Sequence, residues 1–247
     1  MYFHNALTYW ISLATVFAAS SGTPQSSAIQ YAVAQRFVLD HQEKGTAGVL
    51  LLSMDTRLSE SVQKQLWGKG DWSIVFPSDS SVYKDFSDRP PIGSKLSILD
   101  NAGKVIVERV LERPLAKLEA WNAVAGSGQM FLLTQDYSMG AGSYSGLVTT
   151  LLTASDASFH ELRALDTGSH HAEPIRLMKS LKSDWRVVQH ESRPEIFSVS
   201  CHPSRNGKFV VDYARYSFQG GQWLEYKHEA AGFWESDEQF PDASAFR

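Results

Sequence analysis

The sequence has little cysteine and no excess of basic charge. Its one cysteine, Cys201, rules out an internal disulfide in the monomer and lies too far along the chain to carry an N-terminal lipid anchor. Lys and Arg number 23 against 27 Asp and Glu, which gives a formal net charge of −4, and they form no dense cluster. Because nucleic-acid binding needs a concentrated basic surface, we expect no nucleic-acid partner.

The first part of the chain has no charged side chain before Arg36. An apolar run over 6–19 ends in small residues, which is typical of a secretory signal. The run is shorter than the roughly 20 residues that span a bilayer as a helix, so no transmembrane anchor is expected. We therefore predict a signal peptide over 1–20, a polar linker over 21–27 and an extracytoplasmic location, periplasmic or secreted. The usual basic flank of a signal is missing, and a buried N-terminal helix is the alternative.

The residues that follow, 28–247, are predicted to form a single globular domain of the α+β class, with a division into two halves near 114–128 left open. An all-β sandwich with peripheral helices is the alternative. The first half is predicted to hold a helix over 28–42 and then a βαβ-like unit, because a continuous apolar run over 49–52 precedes apolar residues at helical spacing and a second strand. That second strand covers 73–76.

The second half is predicted to be mainly antiparallel sheet. Apolar and alternating runs flank Asn101-Ala102-Gly103, a turn sequence that indicates a hairpin. Further runs separated by Gly, Ser and Asp predict a meander, and Pro174 is expected to begin a short helix. The runs that predict strands cover 95–100, 104–111, 130–137, 147–153, 159–165, 197–201, 209–218 and 222–228.

The glycine-rich segment 136–146 is the first candidate site. Its glycines do not fit a dinucleotide fingerprint, and it lacks the central serine of a nucleophile elbow. We name Asp136, Tyr144 and Ser145 as candidate ligand-contacting residues. A second interpretation makes Ser143 or Ser145 a nucleophile that a distant histidine activates and Asp136 orients. A third makes the segment a plain strand connection.

No metal site or cofactor is predicted. His160-Glu161 begins like a zinc-protease helix, but Ala164 stands where the second histidine should be. The pairs His170-His171 and Cys201-His202 lack the spacing of structural zinc ligands. The acidic cluster Glu235, Asp237 and Glu238 matches no calcium loop and is more typical of a solvated turn.

A hairpin around Gly220-Gly221 gives the second candidate site. A two-residue turn there pairs Phe218 with Trp223 and Tyr216 with Glu225. The aromatic side chains Tyr216, Phe218 and Trp223 then share one face, which we predict to be a partly exposed patch able to stack on a sugar or anchor a peptide or protein. Burial of the patch under a helix or the C-terminal tail is the alternative.

These observations favour an exported, non-catalytic binding or interaction protein for a protein, peptide or glycan. None of the nucleophile, metal and phosphate motifs discussed above is complete. The alternative is a secreted hydrolase whose serine, histidine and aspartate meet at the segment 136–146. The sequence does not decide whether the protein is an enzyme.

Overall fold

The protein is all-β. The computed structural model describes residues 31–39, 48–56, 93–121, 129–137, 142–155, 158–190 and 193–247, and in these ranges the chain forms fifteen strands and one short 3-10 helix. The strands are β1 (Tyr31–Leu39), β2 (Gly48–Asp55), β3 (Lys95–Leu99), β4 (Val105–Val110), β5 (Ala116–Trp121), β6 (Met130–Asp136), β7 (Leu147–Ser155), β8 (Ser158–Glu161), β9 (Arg163–Asp166), β10 (Ala172–Pro174), β11 (Arg176–Lys179), β12 (Ser183–His190), β13 (Arg193–Pro203), β14 (Phe209–Gln219) and β15 (Gln222–Ala231), and the helix is Ala243–Phe246.

The strands form three sheets. The first has four strands in the order β1-β2-β3-β4, and the second has five, in the order β11-β7-β6-β5 with β8 paired to β7. The third has six strands in the order β10-β9-β15-β14-β13-β12. The described pairings are antiparallel except that of β9 with β15, which is parallel.

The five-stranded sheet is the middle layer of a stack of three. Neighbouring residues on one strand point into different cores: Leu152 packs with the four-stranded sheet and Leu151 with the six-stranded sheet. Phe131 and Leu132 divide in the same way on β6. Sheets covered on both faces need apolar residues at successive positions, which is why these strands read as continuous apolar runs.

The far face of the six-stranded sheet is covered by the tail, residues 232–247. Trp234, Phe240 and Phe246 are buried there against β13 and β14. The ring of Phe246 stacks on that of Phe197 with 4.6 Å between centroids. The tail therefore closes a third core, which also contains the buried Cys201.

The predicted α+β fold is wrong, and the predicted helix over 28–42 is wrong as well. Residues 31–39 form β1, which pairs antiparallel with β2. The register shifts between Val33 and Gln35, and this irregularity breaks the alternation of side chains that identifies a strand in sequence. Apolar residues on either side of such a shift imitate helical spacing.

The βαβ-like unit is wrong as well. The predicted strand 49–52 lies in β2, but β2 pairs antiparallel with β1 and β3, so no parallel crossover joins it to a neighbour in this sheet. The predicted helix over 58–66 and strand over 73–76 lie outside the described residues. The helix expected after Pro174 is also wrong, because Pro174 ends β10 and another strand, β11, begins at Arg176. Ile175, between the two strands, and Leu177, in β11, are both fully buried.

The predicted hairpin over 95–111 and the predicted strands of the second half are confirmed, except that the run 159–165 is divided between β8 and β9, which belong to different sheets. The hairpin around residues 101–103 joins β3 to β4, and the runs from residue 130 onward correspond to strands from β6 to β15. The predicted boundary 114–128 contains β5, and the division into halves stays a prediction. The signal peptide and the linker lie outside the described residues. Nothing in the described ranges is a helix long and apolar enough to cross a membrane.

Candidate functional site

A cleft opens on the inner face of the six-stranded sheet. One wall is the β10–β11 segment, which passes from the six-stranded to the five-stranded sheet. The floor consists of β13, β14 and β15, and the cleft has a volume of about 640 Å³. This size lies within the range of roughly 300–1,000 Å³ that small-ligand sites occupy.

The floor presents one side chain to the cleft at every second residue, and all of these except Ala214 are polar. Side chains on a strand alternate between its two faces, so one set of alternating positions faces the cleft and the other faces the tail. The cross-strand pairing aligns the cleft-facing residues in rows, because Ala214 pairs with both Ser198 and Lys227. The cleft-facing floor residues are Ser198, Ser200, Asp212, Ala214, Tyr216, Glu225, Lys227 and Glu229, and Tyr213 and His228 of the other set also border the cleft.

Lys227 is held at the centre of this floor by two carboxylates. Its Nζ lies 2.8 Å from Glu225 Oε2 and 3.7 Å from Asp166 Oδ2. Glu225 is buried and Lys227 is half exposed, so the ammonium group reaches the cleft while its main partner is shielded from water. Glu225 also interacts with the buried hydroxyl of Tyr216.

The protonation states of this group follow from burial and neighbouring charge. Burial, and after it the charge and hydrogen bond of Glu225, raises the pKa of Tyr216 far above its usual value. Burial lowers the pKa of Lys227, but interactions with Glu225 and Asp166 outweigh it and raise that pKa. Hydrogen bonds from the N–H groups of Gly168 and Ser169 lower the pKa of Asp166. Tyr216 is therefore neutral and Lys227 charged at neutral pH.

The other end of the floor is acidic. Asp212 and Glu229 are directly opposite each other on β14 and β15. Asp212 Oδ2 accepts a hydrogen bond from Ser200 Oγ at 3.3 Å and lies 3.0 Å from His202 Nε2. Here the aspartate lies between the serine and the histidine. A nucleophilic relay needs the histidine in the middle, so this trio does not have catalytic order.

The structure buries the predicted aromatic patch. The register predicted for the hairpin is confirmed, with Phe218 opposite Trp223 and Tyr216 opposite Glu225. Of the two alternatives for the patch, exposure is wrong and burial is correct, because only 7% of Tyr216 and 3% of Trp223 are accessible. The cover is the middle sheet, however, and not a helix or the tail. Trp223 stacks on Trp121 of the middle sheet, with centroids 5.9 Å apart. Only Tyr216 of the three lines the cleft.

The predicted residues of segment 136–146 lie outside the cleft. Asp136 is buried at the end of β6, and its N–H donates to the carbonyl of Leu115 at 3.1 Å. Tyr144 is exposed, and the N–H of Ser145 donates to the carbonyl of Gly142 in a turn. Residues 138–141 lie outside the described ranges.

Gly146 has a structural reason to be glycine. A Cβ atom there would lie 1.9 Å from the carbonyl oxygen of Lys179, because β7 and β11 approach closely at this point. Gly146, at least, is therefore required for the close packing of β7 against β11. Whether Asp136, Tyr144 and Ser145 contact a ligand stays a prediction.

The histidines gather no metal ligands in the described part of the chain. His160 lies on a strand and its Nε2 is 2.6 Å from the Oγ of Ser158, two residues away on the same exposed hairpin. His170 occupies a turn with a φ of 59°. Among the described residues, no three His, Cys, Asp or Glu side chains lie close enough together to hold a metal ion.

Sequence reasoning missed most of the cleft. It named Tyr216 and paired it with Glu225 across the hairpin, but it assigned no role to Glu225. It did not identify Asp166, Asp212 or Glu229. The alternation of Asp212, Ala214 and Tyr216 was a usable signal, since charged and hydroxyl groups repeat on one face of a long hairpin. Sequence reasoning also missed the exposed rings of Phe209, on β14, and Phe233, in the tail. The two rings contact each other edge to face, with 4.9 Å between their centroids.

Comparison of the chain with models of known families, with curated proteins and with solved structures finds no match.

Proposed function

We propose that the protein is a non-catalytic binding protein and that the cleft holds a polar ligand, of which a peptide is the best fit. The observation that carries this proposal is the row arrangement of the floor. Three adjacent strands present hydroxyl, carboxylate and ammonium groups into one open cleft, at every second residue except Ala214. Convergent polar groups in a concave site are the usual features of a ligand site.

A peptide fits the floor better than a glycan does. Sugar recognition commonly uses an exposed aromatic ring on which the apolar face of a sugar can stack. Tyr216 lines the cleft, but its ring is buried and its hydroxyl faces Glu225. Peptide groups and polar side chains instead need hydrogen-bond donors and acceptors, which Ser198, Ser200 and Lys227 provide.

The test of binding is a titration of the ¹⁵N-labelled protein with mixed tetrapeptides and, separately, with oligosaccharides. Peptides are expected to shift the amide signals of β13–β15, and Ser198→Trp, which fills the cleft, is expected to abolish those shifts. Ser236→Trp places the same ring on the exposed tail as a control. Shifts confined to Phe209, Phe233 and their neighbours would contradict the cleft as the site.

The absence of catalysis is the second part of the proposal. Within the cleft Asp212 separates Ser200 from His202, and the pair Ser158–His160 lies on an exposed hairpin outside it. The protein is expected to turn over none of a panel of ester, peptide and glycoside substrates. Turnover that Ser143→Ala or Ser145→Ala abolishes would establish the hydrolase alternative.

Export is the third part of the proposal, and it is supported by the uncharged apolar run before residue 20. The mass of the protein recovered from its native host measures the start of the mature chain. A start between Ala19 and Gly22 in an extracytoplasmic fraction is expected. An intact Met1 in the cytoplasm would contradict export and leave the binding proposal intact.

A further inference from the structure

The charges around the cleft do not balance. Four carboxylates line it, on Glu173, Asp212, Glu225 and Glu229, against two permanent cations, on Arg176 and Lys227. His228 also lines the cleft, but an imidazole carries charge only when it is protonated. The two cations are already partnered by acidic groups. Lys227 is bound by Glu225 and Asp166, and Arg176 lies 3.9 Å from Glu161.

The acidic end of the cleft has no permanent cation among the described residues. Glu173 and Glu229 form no described ion pair, and the charged neighbour of Asp212 is His202, which carries charge only when protonated. Lys227 is the nearest lysine along β15, but its ammonium group is directed to Glu225 and Asp166.

The sheet brings two of these carboxylates together. Asp212 and Glu229 are cross-strand partners on the same face, a relation that sets Cβ atoms roughly 4.5–5.5 Å apart. Like charges in this relation destabilise a sheet. A cation bound between them removes that repulsion, and the cleft gives such a cation room to enter.

We infer that the ligand of the cleft is an organic cation, carrying an amine or guanidinium group that binds between Asp212 and Glu229. This inference rests on the proposed binding function and specifies its ligand. Ser200 lies in the same cross-strand row as Asp212 and Glu229, and Ser198 lies in the next row. Their hydroxyl groups line the cleft beside the two carboxylates and bind the polar body of the ligand. A metal ion fits less well, because the described residues bring no three metal-ligating side chains together.

The experiment is a calorimetric titration of the full chain with tetralysine, tetraserine and tetraglutamate, followed by spermidine. Tetralysine is expected to bind, and Asp212→Asn and Glu229→Gln are each expected to weaken it about 2- to 5-fold, the effect of one partly exposed ion pair. Glu238→Gln removes the same charge from the exposed tail and is expected to leave the affinity unchanged. Comparison with spermidine shows whether the cation comes from a peptide or from a free polyamine.

The outcomes separate the two proposals. Tetraserine that binds in the cleft as tightly as tetralysine would overturn the cationic ligand and keep the binding function. Equal weakening by Glu238→Gln would also overturn it, because the attraction would then come from the net charge. Failure of all the peptides to perturb the cleft, with a ligand found on the tail face instead, would overturn the binding function itself.

Discussion

At the scale of single residues, the cleft depends on Glu225. This buried carboxylate holds the ammonium group of Lys227 and faces the hydroxyl of Tyr216. Burying a carboxylate is unfavourable unless it is paired and hydrogen-bonded. The neighbours of Glu225 therefore stabilise its charged form and fix the position of Lys227 at the same time.

We expect Glu225→Gln to lower the free energy of unfolding by about 1–3 kcal/mol, because it leaves buried groups with weaker partners. It should also lower the pKa of Lys227, since the carboxylate that raises it is lost. Urea denaturation and NMR titration of the lysine measure the two effects. Glu119→Gln breaks the exposed pair with Lys117 and should change stability by less than about 1 kcal/mol. Equal effects of the two substitutions would contradict a special role for Glu225.

Asp166 makes stability depend on acidic pH. Backbone hydrogen bonds from Gly168 and Ser169 lower its pKa from 3.8 in the unfolded chain. A carboxylate with a lowered folded pKa contributes stability that is fully present above the unfolded value and is lost as pH falls through the folded value. We expect Asp166→Asn, which retains a hydrogen-bond acceptor, to reduce the loss of stability below about pH 4. Urea midpoints between pH 2 and pH 6 measure it, and parallel curves for the two proteins would contradict the prediction.

At the scale of elements, the tail is part of the core. Phe246 packs on Phe197, Tyr213 and Phe240, and it seals the sheet above Cys201. We expect Phe246→Ala to destabilise the protein by about 3–5 kcal/mol. It should also accelerate reaction of Cys201 with a thiol reagent, because the buried cysteine becomes accessible when the tail opens. Phe233→Ala removes an exposed ring and is the control. An unchanged labelling rate in Phe246→Ala would contradict the tail as the cover.

The sequence predicts elements well where local chemistry specifies them. Gly220 and Gly221 both have positive φ, so the turn they form is favoured by the glycines themselves and determines the register of β14 against β15. The first strand could not be predicted in this way. The register shift near Val33 and the contact of Gln35 with the backbone of Leu118 on another sheet are tertiary features that hide its alternation.

The cleft could be predicted only in part, for a related reason. Its floor residues on one hairpin are readable as an alternating polar pattern. The wall of the cleft, and Asp166, which binds Lys227, are brought to the floor by the parallel pairing of β9 with β15. This pairing joins segments about 60 residues apart in sequence. Pairings of this kind depend on how whole sheets pack, and the side-chain pattern of a single strand does not encode the partner.

At the scale of the whole molecule, the middle sheet links the two inner cores. Leu151→Ala weakens the core with the six-stranded sheet, and Leu152→Ala weakens the core with the four-stranded sheet. Each is expected to cost about 2–5 kcal/mol. Because one strand supplies both residues, we expect either substitution to shift one common unfolding transition, measured by tryptophan fluorescence and by far-UV circular dichroism.

Separate transitions for the two signals would contradict this expectation. They would instead support two halves that unfold independently, as the sequence left open. A matched control is Val187→Ala, which removes methyl groups from an exposed position on the six-stranded sheet and should change stability by less than about 0.5 kcal/mol.

The glycine turn at residues 220–221 has an effect well beyond its own position. A slip of one residue between β14 and β15 would turn every side chain of a strand to the opposite face. Val211 and Tyr213 would then replace Asp212 and Ala214 in the cleft, while the carboxylate would be forced against the apolar tail. Two residues without side chains, at the tip of a hairpin, therefore determine which side chains line the cleft.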